Sequence, residues 1–335
     1  MGRPKLASRT PSRRNEASHG LMTMLDRRGL IGGLGASGLV ALAGCGRSSA
    51  LQSTGGPADE GQLRAALAAL ETQSGGRLGV AVLDCSDGAL AGHRLDERFT
   101  MCSTFKLPLA ALMLTKIDSG AIAADATLPI SQTDPVGHSP AVRARLDAGV
   151  TRMTILDLCE AAQTQSDNGA ANILLRALGG PAALTAFFRS LGDGVTRLDR
   201  YEPALNTSHD GDPRDTSTPG AMAGSLRAIL TGDRLTPASR TRLIDWTIAT
   251  RTGLTRLRGG LPAGWRAGDK TGTFAGDEHV AGKANDVAIC WRPGRPAPFI
   301  ITAFLEIVPN SVSAEADAVL AQTARIASRW MTARG

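Results

Sequence analysis

Strand-like runs stand at the two ends of this chain and almost nowhere between them. Leu78-Gly-Val-Ala-Val-Leu83 is a short apolar run followed by a hairpin signal, Ser86-Asp87-Gly88, and the comparable runs, Asp286 to Trp291 and Phe299 to Ile307, come near the other end. The middle third is helical by pattern, with an apolar run from Phe105 to Leu114 and a long stretch from Met153 to Leu178. A further helix spans Gln62 to Glu71 before Gly75-Gly76, and a last one runs from about Ser313 to Met331. Helix and strand at the start, helices in the middle, and strands and a helix at the end suggest one sheet made from both termini. The spacing therefore predicts an α/β domain from residues 61–97 and 251–335, with an all-α domain, 98–250, inserted between them. With aromatics at 4%, the core must be built mainly from Leu, Ala, Val and Ile.

The formal charge of +6 is concentrated at the N-terminus, where residues 1–45 carry seven Arg or Lys against two acids. The remainder is close to neutral and shows no Lys/Arg stripe interleaved with aromatics, which removes support for nucleic-acid binding. Arg27-Arg28 precedes a weakly apolar, glycine-rich run from Gly29 to Ala43 that is too short to span a bilayer comfortably. The run ends in Leu42-Ala43-Gly44-Cys45, which resembles a bacterial lipobox; the alternative is an ordinary signal in which Cys45 is incidental. The reading is a twin-arginine signal segment over 1–45, a tether over 46–60, export across the cytoplasmic membrane, and membrane contact only through a lipid anchor at Cys45. Cys85, Cys102, Cys159 and Cys290 match no zinc spacing, and the five histidines form no metal-ligand pair at helical spacing. No metal and no cofactor is expected.

The chemistry resides in three short motifs. Ser103-Thr104-Phe105-Lys106 opens the apolar run, so Ser103 should lie at the N-terminus of a buried helix with Lys106 on the same face. A neutral lysine amine there can take the serine proton, and the helix N-terminus adds positive potential where negative charge develops. Ser166-Asp167-Asn168 follows 63 residues later, on a helical pattern near a short break, and Lys270-Thr271-Gly272-Thr273 another 104 residues on. Each alone reads as a cap or turn; their order and separation together do not.

With these motifs the sequence resembles the class A serine β-lactamases, over nearly everything from residue 60 onward. The resemblance implies a β-lactamase/transpeptidase-like α/β fold: a mainly antiparallel sheet flanked by helices, plus the inserted all-α domain. It implies hydrolysis of the β-lactam amide of penicillins and cephalosporins by a monomer acting on small-molecule β-lactams. Ser103 would be the nucleophile, Lys106 a candidate base, and Ser166 the relay to the leaving ring nitrogen. Asn168 would bind the substrate side-chain amide. Lys270, Thr271, Gly272 and Thr273 would hold the substrate, with the N–H groups of Ser103 and Thr273 as oxyanion hole. Arg200-Tyr-Glu-Pro-Ala-Leu-Asn206 looks like the family's omega loop, 200–215 here, in which Glu202 and Asn206 hold the hydrolytic water and Arg200 pairs with Asp215. Arg256 matches a carboxylate-binding position, with Arg258 as a structural neighbour.

Two departures stand out. Phe274 to Lys283 is longer than the family pattern and should lie on the cleft rim. Phe274 also occupies the place of a disulfide partner for Cys102, so that disulfide is not predicted. A penicillin-binding D,D-peptidase shares the three motifs but lacks the deacylating glutamate. A membrane-tethered receptor domain that is acylated without turnover is the other alternative.

Overall fold

The computed structural model describes residues 57–209, 211–308 and 314–334. The twin-arginine segment, Cys45 and the tether as far as residue 56 lie outside the described residues. In chain order the elements are α1 (Pro57–Ser74), β1 (Arg77–Asp84), β2 (Leu90–His93), β3 (Phe99–Thr100), α2 (Lys106–Asp118), β4 (Thr127–Pro129), α3 (Pro140–Asp147), β5 (Arg152–Thr154), α4 (Ile155–Thr164), α5 (Asn168–Ala177), α6 (Pro181–Ser190), β6 (Thr216–Ser217), α7 (Pro219–Leu230), α8 (Pro237–Ala249), α9 (Leu257–Gly260), β7 (Arg266–Phe274), β8 (Gly282–Trp291), β9 (Phe299–Ile307) and α10 (Ala314–Ala333). The first helix begins within the expected tether, at residue 57, because Asp59 and Glu60 in its first turn complement the helix dipole.

The two ends of the chain meet in a five-stranded sheet of order β2-β1-β9-β8-β7, antiparallel throughout. The junction is the β1–β9 pair, with Leu78 opposite Leu305 and Val82 opposite Ile301. Alternation along the strands divides their side chains between two cores. Leu78, Val80, Val82, Ile301, Ala303 and Leu305 pack with Leu63 and Leu67 of α1 and Leu320 and Trp330 of α10. Ala81, Leu83, Val287, Ile289, Ile300 and Phe304 turn the other way and join Leu109, Leu158, Leu174, Phe188 and Met222 of the helices. Strands covered on both faces read as continuous apolar runs, which is why they were visible in the sequence.

Two local features shape the site, the expected break near Ser166 and a strand the sequence reading did not include. The stretch 153–178 is not one helix: α4, capped by Thr154 Oγ1 accepting from Asp157 N at 3.0 Å, breaks at Gln165–Asp167. Ser166 there has φ of 58°, a left-handed conformation costing a non-glycine residue roughly 1–2 kcal/mol. Asp167 sustains it, since Oδ1 caps α5 at Ala170 N (2.8 Å) and Oδ2 accepts from Ala141 N (2.8 Å) and Val142 N (3.1 Å) of α3. The second feature is β7, an edge strand that Arg266–Phe274 does not announce, having no apolar alternation.

Candidate active site

Ser103 lies in a 3-10 turn, Cys102–Phe105, that runs directly into α2, where Lys106 to Leu114 are all buried. The turn starts from Cys102 at φ 46°. Lys106 Nζ reaches Ser103 Oγ at 2.8 Å, as the three-residue spacing predicts. It also donates to Ser166 O at 2.9 Å and Asn168 Oδ1 at 2.5 Å, and lies 3.1 Å from Glu202 Oε1. Burial lowers the Lys106 ammonium below its ordinary range, and the Glu202 carboxylate pulls the other way.

Ser166, projected from the break between α4 and α5, accepts from Lys270 Nζ at 2.9 Å. A chain of polar groups thus runs Ser103, Lys106, Ser166, Lys270, across all three motifs. Lys270 is fully buried; desolvation first, and the neighbouring Lys106 charge second, hold its amine well below the usual lysine range. Two adjacent lysines with weakened affinity for protons are what proton relay between a nucleophile and a leaving nitrogen requires.

The segment 200–215 folds against this group. Asp215, fully buried, accepts Asp199 N (2.7 Å), Arg200 N (2.9 Å) and Arg200 Nε (2.5 Å), closing the loop with the expected ion pair. Met101 N donates to Asp215 O at 3.0 Å, and β3 pairs with β6, so the base of the loop is fastened beside Ser103. Glu202 Oε1 then lies 3.2 Å from Ser103 Oγ, and Asn206 Nδ2 donates to Oε2 at 2.7 Å. Ser103, Lys106 and Glu202 form a triangle with sides of 2.8, 3.1 and 3.2 Å, so both amine and carboxylate are within reach of the serine proton.

Strand β7 supplies the opposite wall. It passes so close to the nucleophile that a Cβ on Gly272 would lie 2.7 Å from Met101 O and 3.2 Å from Ser103 N. Thr271 Oγ1 donates to Thr252 Oγ1 at 2.8 Å. Arg256 is only 7% exposed and donates to Asp317 Oδ1 (2.7 Å), Gly272 O (3.1 Å), Asn285 O (2.9 Å) and Thr273 Oγ1 (3.0 Å). It therefore reaches the cleft through Thr273 while bracing β7 and β8. Arg258 points elsewhere, forming a two-pronged pair with Asp269 at 2.7 and 2.9 Å.

Ser103, Ser166, Asn168, Glu202, Asn206, Thr271, Thr273 and Arg256 line one cleft of about 250 Å³. A larger hollow of about 480 Å³ beside Leu128, Ile130 and Ile173 is touched by none of the three motifs, so chemistry and not size identifies the site. Sequence reasoning missed His138, Thr252 and Asp317, which also line the cleft, and Asn172, which holds Glu202 from behind. Asn172 follows Asn168 by one helical turn, the one signal that could have pointed to it. The segment 274–283 follows directly on Thr273, which lines the cleft. Asp277 Oδ1 accepts from His279 N and Val280 N, both at 2.9 Å, and folds the segment into a closed turn. Cys85, Cys102, Cys159 and Cys290 are free thiols, and burial pushes that of Cys102 up to about 12. No cluster of three metal-ligating side chains occurs among the described residues.

Known proteins resemble this chain in sequence and in fold. The profile of the β-lactamase enzyme family matches residues 62–331. The β-lactamase L2 of Stenotrophomonas maltophilia is 46% identical over 262 residues, covering 78% of this chain and 84% of that protein. The β-lactamase AST-1 of Nocardia asteroides is 45% identical, covering 77% and 80%. Among solved structures, an ancestral Gram-negative class A β-lactamase is 53% identical with a TM-score of 0.74, covering 80% of this chain and 99% of that one. A β-lactamase from Xanthomonas campestris is 42% identical with a TM-score of 0.75, covering 82% and 98%. With the three motifs brought to one cleft and likeness of this extent, the chain belongs to the class A β-lactamases, serine hydrolases that open β-lactam rings and confer antibiotic resistance.

Proposed function

We propose that this enzyme hydrolyses penicillins and cephalosporins through an ester on Ser103 and clears that ester with water activated by Glu202. Ser103 Oγ attacks the lactam carbonyl carbon while its proton passes to Lys106 or Glu202. The ring C–N bond then breaks as Ser166 hands a proton to the departing nitrogen, replenished from the side of Lys106 and Lys270. In the second half Glu202 takes a proton from water, the hydroxide attacks the ester, and Ser103 recovers its proton as the acyl group leaves. Asn168 and Arg256, with Thr271 and Thr273, are assigned to the substrate's side-chain amide and carboxylate. The N–H groups of Ser103 and Thr273 are assigned to the developing oxyanion.

The observation that carries this reading is the Glu202 carboxylate, buried, held by Asn206, and 3.2 Å from the nucleophile. A D,D-peptidase or a receptor that stays acylated has no use for such a group. Intact-mass spectrometry tests it: Ser103→Ala should take up no penicillin, whereas Glu202→Ala should carry one drug mass for minutes or longer. Loss of a general base typically slows its step about 10²–10⁴-fold. Parental turnover by Glu202→Ala, or a single stoichiometric burst with a chromogenic cephalosporin from the parent, defeats the proposal.

The N-terminal sequence supports export by a twin-arginine route and attachment at the cell envelope through Cys45. Replacing Arg27 and Arg28 by Lys should block export, and Cys45→Ala should release the enzyme from the membrane fraction. Membrane retention of the latter excludes the lipid anchor.

A further inference from the structure

A second concave surface lies between α2 and α6, on residues the reaction does not use. It encloses about 460 Å³ and shares no lining residue with the Ser103 cleft. Its apolar walls are Leu112, Leu178, Ala183, Ala186 and Phe187. Two cations, Lys116 and Arg234, line it with no Asp or Glu among the lining residues. The Arg234 guanidinium donates to the Ser190 carbonyl at the end of α6, which ties it to the groove. The carboxylate nearest to Lys116 along α2, Asp118, is engaged with Thr236 N (2.8 Å), Thr236 Oγ1 (3.0 Å) and Ser239 Oγ (2.6 Å). It therefore braces Thr236, the cap of α8, and does not line the groove.

We propose that this groove binds a single-chain anionic amphiphile, its chain against Leu112, Leu178 and Phe187 and its carboxylate between Lys116 and Arg234. A concave apolar wall with a few polar groups at one end is the general form of a small-molecule site. Two cations without an acid in the lining select the sign of the head group. A neutral head forgoes their attraction and a cationic one is repelled. Because both cations are exposed, the preference should weaken as salt rises.

Titration of the full chain with monomeric dodecanoate, dodecanol and dodecyltrimethylammonium, followed by methyl NMR and calorimetry at low salt, tests the proposal. Dodecanoate should saturate one site, shift the Leu112 and Leu178 methyls, and bind roughly tenfold or more tightly than the cationic analogue. The Lys116→Gln/Arg234→Gln variant should lose that preference. Ala183→Leu, which fills the groove without changing charge, should weaken binding of the chain itself. Both variants should hydrolyse a chromogenic cephalosporin at the parental rate, which confirms that they are folded. Equal binding of the three head groups overturns the proposal, as does binding unchanged in both variants, or no saturable binding of dodecanoate below its micellar concentration.

Discussion

The side-chain amide of Asn172 grips the main chain of Glu202 from both directions, its Oδ1 accepting from Glu202 N at 3.0 Å and its Nδ2 donating to Glu202 O at 2.9 Å. Glu202 also follows the geometry of its loop, which turns at a cis peptide between Glu202 and Pro203. The carboxylate is thus aimed at Ser103 by a residue on α5 that never touches the nucleophile.

Asn172→Leu should therefore damage the second half of the reaction more than the first. It leaves the buried Glu202 N–H and C=O without partners, at about 1–3 kcal/mol for each. Urea unfolding should show the loss of stability, and steady-state turnover should fall roughly tenfold or more as acyl-enzyme accumulates. Parental stability together with parental turnover would show that the clamp is idle.

Gly272→Val tests the closeness of β7 to the nucleophile. Any Cβ there meets Met101 O at 2.7 Å and Ser103 N at 3.2 Å, both of them backbone atoms that cannot swing aside. Overpacking of this kind typically costs about 1–3 kcal/mol, and displacement of the Ser103 amide should lower kcat about 10²-fold. Thermal unfolding and kinetics read the two effects separately; unaltered kcat would mean that the strand can move away at no loss.

Arg256 joins a cleft residue to two backbone carbonyls and to Asp317 on α10, so Arg256→Ala should both destabilise and weaken substrate binding. A stability loss of about 2–3 kcal/mol is expected from the severed charged hydrogen bonds. KM should rise about tenfold with a smaller change in kcat, the pattern of an interaction made equally in ground and transition states. Lysine should not rescue it, because one ammonium cannot serve four acceptors on different elements. Full rescue by Arg256→Lys would reduce the residue to a point charge.

Asp286 gives a pH dependence of definite sign. It is fully buried and accepts from Leu257 N at 3.1 Å; burial, then the charge of Asp269, raise its carboxyl well above the ordinary range. The folded protein keeps a proton that the unfolded chain releases near about pH 4. The linked stability is complete below that pH and declines as pH rises towards the folded value. Asp286→Asn has nothing to ionise, so the parent should lose stability relative to this variant as pH is raised from acid to neutral. Urea unfolding across that range checks it, and a constant difference would mean that folding does not shift the Asp286 carboxyl.

The elements visible in the sequence were those whose evidence is local. The apolar runs 78–83, 286–291 and 299–307 suggested a sheet joining both ends of the chain, and the order of the Ser103, Ser166 and Lys270 motifs pointed to the chemistry. Strand β7 was invisible because an edge strand rich in Gly and charge has no apolar alternation; it forms by pairing with β8 and by close approach to the Ser103 turn. The short break near Ser166 was legible, but its left-handed geometry was not, since it is sustained by Asp167 bonding to α5 and α3 at once.

By itself, then, the sequence determined the residue types, their order and the period of each element, because side-chain chemistry and hydrophobic spacing are carried by neighbouring residues. Only the tertiary structure decided that Ser103, Ser166 and Lys270 share a single line of hydrogen bonds, that Asn172 on α5 holds the main chain of Glu202, and that Asp277 folds 274–283 into a turn. Separations of about 3 Å between residues far apart in the chain are set by how helices and sheet pack around two cores, and no local pattern records that distance.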